Sequence, residues 1–282
     1  MEKRTGKFIC TSVTGANHTD KGIACQDAAT CATLYHKSYL FYFMAVADGH
    51  GGAAYTRSDI GSFLALQAAS ESVNRFIISV IDAFEKYPDD WVKTVKDDFL
   101  GRFAKTLVDC WMRMVAAHAK ETNEITDETI KLYGTTVSVA FVFNNYLFSG
   151  RIGDSSVFTI DKQNKKMEVK NLFETYEAEN TSLGLSTASL CSRDAYRKWQ
   201  IQALPLDGIE MLLLATDGFV DSLKDSKGEI ADFYQYITKK GLNNFEKIID
   251  KELIEITQKG VGDDISMVIF FPDQNRGGFF NG

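Results

Sequence analysis

A chain of 282 residues, 45% hydrophobic and 24% charged, has the composition of a globular protein and enough length for a sizeable core. Its net charge of −7 argues against non-specific nucleic-acid binding, which needs a basic face to displace counterions. No apolar run approaches the roughly 18 residues of a membrane helix, no apolar signal core follows Met1 to Lys7, and the five cysteines, without a C-x-x-C, offer neither a disulfide framework nor a zinc site. A cytosolic protein is expected, with no membrane and no nucleic acid among its partners.

Lys7 to Thr14 and Ala28 to Tyr35 read as short strands around a polar turn, Gly15 to Gly22. His36-Lys37-Ser38 then connects into a longer apolar strand, Phe41 to Ala47. That strand stops at Asp48-Gly49-His50-Gly51-Gly52, where a rigid strand end meets a permissive turn. Beyond it, Ile60, Leu64, Ala68, Phe76, Ile77 and Val80 follow a helical period. Tyr87-Pro88-Asp89-Asp90 breaks this helix and offers Asp90 as the N-cap of a second one. In that second helix Trp91, Val95, Phe99, Phe103 and Leu107 repeat every four residues, followed by Trp111, Met114 and Val115. An aromatic stripe of this kind is core rather than a cofactor box.

After a polar connection at Glu121 to Glu128 the period returns to two. Thr135 to Phe143 and Tyr146 to Arg151 flank Asn144-Asn145, a hairpin pair that tolerates positive φ. Gly153-Asp154-Ser155 interrupts, and Ser156 to Asp161 and Lys166 to Lys170 extend what reads as an antiparallel meander. Residues 171–205 are weakly patterned. Ile209 to Ala215 is a second buried strand ending in acid, at Thr216-Asp217-Gly218. Helical patterns at Glu229 to Lys240 and Asn244 to Lys259 precede Gly262-Asp263-Asp264 and a last strand, Ile265 to Phe271. With no linker and no repeat, one domain over residues 1–272 and a frayed tail over 273–282 are expected.

Four acidic sites, Asp48-Gly49, Gly153-Asp154, Asp217-Gly218 and Gly262-Asp263-Asp264, each adjoin glycine at the edge of a strand. Singly, each is ordinary turn chemistry. Together they are carboxylates at the ends of buried strands, which are costly unpaired and repel one another unless protons or cations neutralise them. Oxygen donors select hard divalent cations, Mg²⁺ or Mn²⁺, and His18, His36, His50 and His118 are too scattered for a zinc set. A pair of such cations roughly 3.5–4 Å apart can generate a hydroxide and clamp a phosphoryl group. The residues therefore point to metal-assisted hydrolysis of a phosphoester.

In this order, Cys25-Gln26-Asp27, Ala47-Asp48-Gly49-His50-Gly51-Gly52, Tyr133-Gly134-Thr135-Thr136, Gly153-Asp154-Ser155, Ala215-Thr216-Asp217-Gly218 and Asp263-Asp264-Ile265-Ser266 resemble the metal-dependent protein phosphatases of type 2C. Tyr55-Thr56-Arg57-Ser58-Asp59-Ile60-Gly61 is similar to a segment of their bacterial branch. The resemblance implies an α+β fold, a four-layer α-β-β-α sandwich of two antiparallel sheets flanked by helix pairs. It implies a phosphoserine/phosphothreonine phosphatase that acts on a phosphoprotein and opposes a serine/threonine kinase. Its cofactors would be two core Mn²⁺ or Mg²⁺ ions, with a third in bacterial members. Carried over by position, Asp48 would bridge two metals and the Gly49 carbonyl would ligate one. Asp217 and Asp263 would complete the pair, Asp27 would hold metal-bound water, Asp154 would help form the third site and Asp264 would give support. His50 would be the general acid, and residues 171–205 a variable flap.

Two departures stand out from the resemblance. Gln26-Asp27 replaces the Glu-Asp of many members and brings one charge fewer. His18, counted from Gly15, stands where many carry a phosphate-gripping arginine, with Lys21 a nearby cation to share the work. A histidine is a monodentate, pH-dependent substitute for a permanent fork of donors.

Three rival readings compete with this one. Cys191 to Arg197 fits Cys-x5-Arg, the skeleton of cysteine-dependent phosphatases, but Ser186 to Leu190 is a poor strand, the loop lacks glycine, and Asp194 would repel phosphate. A catalytically silent binding or sensor module would be expected to lose metal aspartates, which this chain retains. A small-molecule phosphoesterase would share the same chemistry.

Overall fold

The computed structural model describes residues 6–120, 126–163, 166–173 and 188–272. In chain order the first half comprises β1 (Lys7–Val13), α1 (Ala16–Lys21), β2 (Ala28–His36), β3 (Tyr39–Ala47), α2 (Ser58–Lys86), α3 (Trp91–Asp98), a π-helical turn (Phe99–Phe103), α4 (Ala104–Ala119) and α5 (Asp127–Leu132). The second half comprises β4 (Val137–Phe143), β5 (Tyr146–Ile152), β6 (Ser156–Gln163), β7 (Lys166–Asn171), a 3₁₀ turn (Ala195–Lys198), β8 (Gln200–Pro205), β9 (Ile209–Ala215), α6 (Asp217–Asp221), α7 (Ser226–Lys240), α8 (Leu242–Glu246), α9 (Ile249–Lys259) and β10 (Ile265–Phe271).

The strands form two five-stranded antiparallel sheets, ordered β2-β3-β4-β5-β8 and β1-β10-β9-β6-β7. Strand β3 shows why they stack. Phe41, Phe43, Ala45 and Ala47 face a core shared with α2, α3 and α4, whereas Tyr42, Met44 and Val46 face the core between the sheets. A strand buried on both faces reads as a continuous apolar run rather than an alternation. Strand β9 divides in the same way: Leu212 and Leu214 point to the other sheet, while Met211 and Leu213 join a third core under α7 and α9. The result is the expected four-layer α-β-β-α sandwich.

The four-residue spacing after Trp91 acquires a cause. A step of four residues advances about 40° beyond one turn of an α-helix, so a strict repeat would wind off the core face. The π-helical turn at Phe99–Phe103 takes more residues per turn and winds the stripe back. Trp91, Val95, Phe99, Phe103, Leu107, Trp111 and Val115 are consequently all buried.

Several sequence expectations need correction. The polar stretch after Gly15 is helix α1 rather than a turn. Asp90 occupies the N-cap position of α3, but its side chain makes no cap hydrogen bond. Of the polar connection, 121–125 lie outside the described residues and Asp127-Glu128 open α5, capped by Thr126 accepting from the Thr129 amide. The meander is split: β4 and β5 lie in one sheet, β6 and β7 in the other, and the chain crosses at Gly153-Asp154-Ser155. The pattern at 244–259 is two helices, α8 and α9. Within 171–205, β8 forms an edge strand, while 174–187 and the expected tail at 273–282 lie outside the described residues. No described helix is long and apolar enough to cross a membrane.

Gly101 sits in the π-helical turn with open space where a Cβ would project. Gly101→Ala should therefore stabilise the protein by about 0.4–1 kcal/mol through reduced unfolded-state freedom. A thermal melt reads this as a raised Tm; a lowered Tm would contradict the helical account of this turn.

Candidate metal centre

Strand register gathers the aspartates. Ala28 pairs with Ala47, so Asp27, just before β2, lies beside Asp48, just after β3. The Thr216 amide donates to the Ser266 carbonyl at 3.0 Å, and the Ser266 amide donates to Thr216 Oγ1 at 2.9 Å. Asp217, at the end of β9, is thereby set against Asp263-Asp264, at the start of β10. Asp154 lies in the crossover from β5 to β6, whose first residue, Ser156, pairs with Ala215. Both sheets deliver their acids to one end of the sandwich.

Asp48, Asp154 and Asp217 each offer a carboxylate oxygen within 4.8 Å of the other two. Burial, then the charges of Asp27 and Asp217, holds the Asp48 carboxyl well above the usual carboxylate range. Burial, then the charge of Asp154, pushes Asp217 up to about 6. The contact between the two carboxyl groups raises Asp48 further and acts to lower Asp217. Asp27 is also raised well above the carboxylate range, first by burial, against a hydrogen bond from Thr216 that acts to lower it. Its Oδ2 is sealed from solvent with no hydrogen-bond partner among the described residues. An orphaned carboxylate oxygen behind three converging acids fits a hard divalent cation, which would neutralise the set.

The backbone around Asp48 is fixed on both sides. Thr136 N and Thr135 Oγ1 both donate to the Asp48 carbonyl, at 2.8 and 2.7 Å, and the Asp48 amide donates to Thr136 Oγ1 at 3.3 Å. Gly49 donates to the Gln26 carbonyl at 3.2 Å, and His50 to the Gly134 carbonyl at 3.0 Å. A Cβ on Gly49 would come within 2.6 Å of the Gln26 oxygen and 2.7 Å of the Ser58 oxygen, so only glycine fits between them. Burial holds the His50 imidazole below the usual histidine range, and the Asp154 charge partly opposes this.

The acids expected from sequence divide into distinct groups. Asp48, Asp154 and Asp217 form the tight trio; Asp263 and Asp27 lie outside it but act on Asp217 and Asp48 through their charges. Asp264 is a hub. Its carboxylate accepts from the Gly15 amide at 2.7 Å, the Gln26 amide at 2.6 Å and His18 Nδ1 at 2.9 Å. His18 is thus committed through one nitrogen to Asp264, while Lys21 stays exposed at the end of α1. Sequence reasoning gave Asp264 only a supporting place, and two adjacent aspartates carry no signal of which one faces the amides. In the Cys-x5-Arg stretch, Ala188 and Ser189 form no strand before Cys191, and Arg197 donates to the Tyr196 hydroxyl at 3.0 Å.

The family model for protein phosphatase 2C matches residues 14–255. Among solved structures, a bacterial serine phosphatase is similar at 14% identity with a TM-score of 0.59, covering 96% of this chain and 99% of that one. Serine/threonine phosphatase Stp1 from Staphylococcus aureus is 15% identical with a TM-score of 0.57, covering 97% of this chain and 100% of that one. The catalytic domain of the serine threonine protein phosphatase PstP, in complex with two manganese ions, is 17% identical with a TM-score of 0.57, covering 95% and 99%. At these identities the likeness shows the fold. No curated protein matches the chain.

Two outcomes follow from the carboxylates. An acid whose pKa is raised on folding binds its proton more tightly in the folded state, so its stabilising effect is present at low pH and is lost as pH rises through the folded value. In chelator, Tm should fall as pH rises from about 4 past the value of about 6 for Asp217. The fall should shrink in Asp217→Asn and with saturating Mn²⁺; a Tm that rises across this window in all three would contradict the raised carboxyls. Asp264→Ala removes the acceptor of two amides and an imidazole and should cost about 3 kcal/mol or more by denaturant melt, whereas a loss below about 1 kcal/mol would refute its role as a hub.

Proposed function

The chain belongs to the protein phosphatase 2C family and by that membership is a protein serine/threonine phosphatase, and we propose that it hydrolyses phosphoserine and phosphothreonine monoesters with divalent cations held at the aspartate end of the sandwich. One observation carries this reading: three carboxylates from separate strand ends converge within 4.8 Å beside the orphaned Oδ2 of Asp27. Asp48, Asp217 and Asp154 would hold the cations with the Gly49 carbonyl and Asp263, and Asp27 would orient a water among them. Bound there, two Mn²⁺ or Mg²⁺ ions, or a third beside Asp154, would supply an activated water and neutralise charge on the phosphoryl oxygens.

The remaining chemistry belongs to the chain. His50 follows Asp48 by two residues and donates a proton to the departing serine or threonine oxygen. His18, held through Nδ1 by Asp264, has only Nε2 left for a phosphate oxygen, and Lys21 adds an exposed positive charge. Phosphate binding therefore depends less on side-chain donors here than a bidentate arginine would allow. The catalytic domain would be residues 1–272, acting in the cytosol on a phosphoprotein and opposing a serine/threonine kinase.

The purified protein should release phosphate from a phosphothreonine peptide with Mn²⁺ or Mg²⁺, and chelator should abolish the release. Asp217→Asn should lower the rate by about 10²-fold or more, the scale expected on losing a transition-state charge contact. Wild-type rates in Asp217→Asn would sink the cation assignment. Faster turnover of nucleotides or sugar phosphates than of the peptide would favour a small-molecule phosphoesterase, and metal binding without turnover a silent module. Cys191→Ser should leave turnover unchanged; its loss would revive the cysteine-dependent reading.

A further inference from the structure

The imidazole of His50 must point at the leaving oxygen, yet among the described residues no hydrogen bond fixes its ring. The terminal torsion of a histidine is soft. Packing supplies the constraint instead. The Tyr55 ring meets the His50 ring edge to face, with centroids 5.0 Å apart at 65°. Gly134 closes the third side: a Cβ there would come within 2.6 and 2.8 Å of Tyr55 Cδ1 and Cε1 and 2.9 Å of His50 Cδ2. Tyr55, His50 and Gly134 leave no room for a methyl group between them.

The turn that carries Tyr55 is itself braced. Tyr55 N donates to the Gly52 carbonyl and Ser58 N to the Tyr55 carbonyl, both at 3.1 Å, and Arg57 N donates to the Leu132 carbonyl at 2.9 Å. Arg57 Nη1 donates to the Tyr133 hydroxyl at 2.7 Å, which also meets His118 Nδ1 at 2.8 Å. The Lys131 ammonium lies over the Tyr55 ring, 5.8 Å from its centroid. A braced aromatic wall beside an otherwise free imidazole is a device for aiming it.

We propose that Tyr55 is the positioning residue for His50, its ring holding the imidazole in the direction of the leaving-group oxygen. This rests on His50 being the general acid. The contact is made by the ring and not the hydroxyl, so phenylalanine should replace tyrosine. Its loss should be felt only where the leaving group needs a proton. An alkoxide leaving from serine or threonine needs one, whereas a phenolate leaving from an aryl phosphate scarcely does.

The test measures kcat and KM on a phosphothreonine peptide and on p-nitrophenyl phosphate, at saturating Mn²⁺, for the wild type, His50→Ala, Tyr55→Ala, Tyr55→Phe and the double alanine variant. Misplacing a catalytic group by about 1 Å can cost about 10²-fold. Tyr55→Ala should lower kcat on the peptide by about 10- to 100-fold with little change in KM, and kcat on the aryl phosphate by less than about 3-fold. Tyr55→Phe should restore peptide turnover to within about 3-fold of wild type, and the double variant should be no slower than His50→Ala, because residues acting through one group do not add. If His50→Ala splits the two substrates and Tyr55→Ala does not, whether by equal loss or by none, the positioning role is overturned while the general acid stands. If His50→Ala slows both substrates equally, the general-acid reading falls and this inference with it. A thermal melt establishes that each variant is folded, so equal loss in folded Tyr55→Ala counts against the positioning role, and Tyr55→Leu takes its place where Tyr55→Ala does not fold.

Discussion

Carboxylates held together against their own repulsion are the constraint on which this structure depends. Asp48, Asp154 and Asp217 sit close enough that their ionised forms disfavour one another, and burial adds to the cost. Nothing in the acids brings them together. The scaffold does so, by ending β3 and β9 at the same edge and crossing from one sheet to the other at Asp154. The strands that do this are apolar on both faces, so alternation does not fix their register. The hairpins do: Lys37 closes β2 onto β3 at φ 53°, and Asn144 and Asn145 close β4 onto β5 at φ 41° and 64°. A slip in either hairpin would move an aspartate off the edge.

The same edge separates a carboxylate that the protein satisfies from those that it does not. Asp264 is buried and accepts from two amides and an imidazole, so its charge is met by the protein. It ties the segment at Gly15 to His18, and that at Gln26, to the start of β10. Among the described residues, Asp27 and Asp48 have no such set of donors. Asp27 keeps an orphaned oxygen, and burial and the charges of Asp27 and Asp217 weigh on Asp48. A site that the protein leaves unsatisfied is one a cation can satisfy. His18 belongs to both worlds, since the nitrogen it gives to Asp264 is one it cannot give to a phosphate.

Much of this was legible in the residues. An apolar run stopping at Asp-Gly marks a buried strand end whether or not its partners are known, so the positions of Asp48 and Asp217 could be read directly. Asn144-Asn145 announced its hairpin because few residues tolerate that backbone. What escaped was set by tertiary contacts. The crossover at Gly153 reads like any turn, so the passage from one sheet to the other stayed hidden although Asp154 was already counted among the site's acids. The stretch after Gly15 has no apolar face, yet it is helical where it packs near α9 through Ala16 and Thr257. Tyr55 carries no signal of its contact with His50, since the partners that brace it lie near residue 133. The Asp90 cap failed for the opposite reason: the residue type suited the position, but no bond formed.

The claim at the centre is that Asp48 anchors a divalent cation site. Calorimetric titration of Mn²⁺ into the wild type and Asp48→Asn at neutral pH tests it directly, because asparagine keeps the shape and removes the charge. The account predicts saturable binding in the wild type, weakened at least about 10-fold in Asp48→Asn, on the scale of losing one ligand-supporting group. Unchanged affinity in Asp48→Asn, or no binding in the wild type, would contradict it.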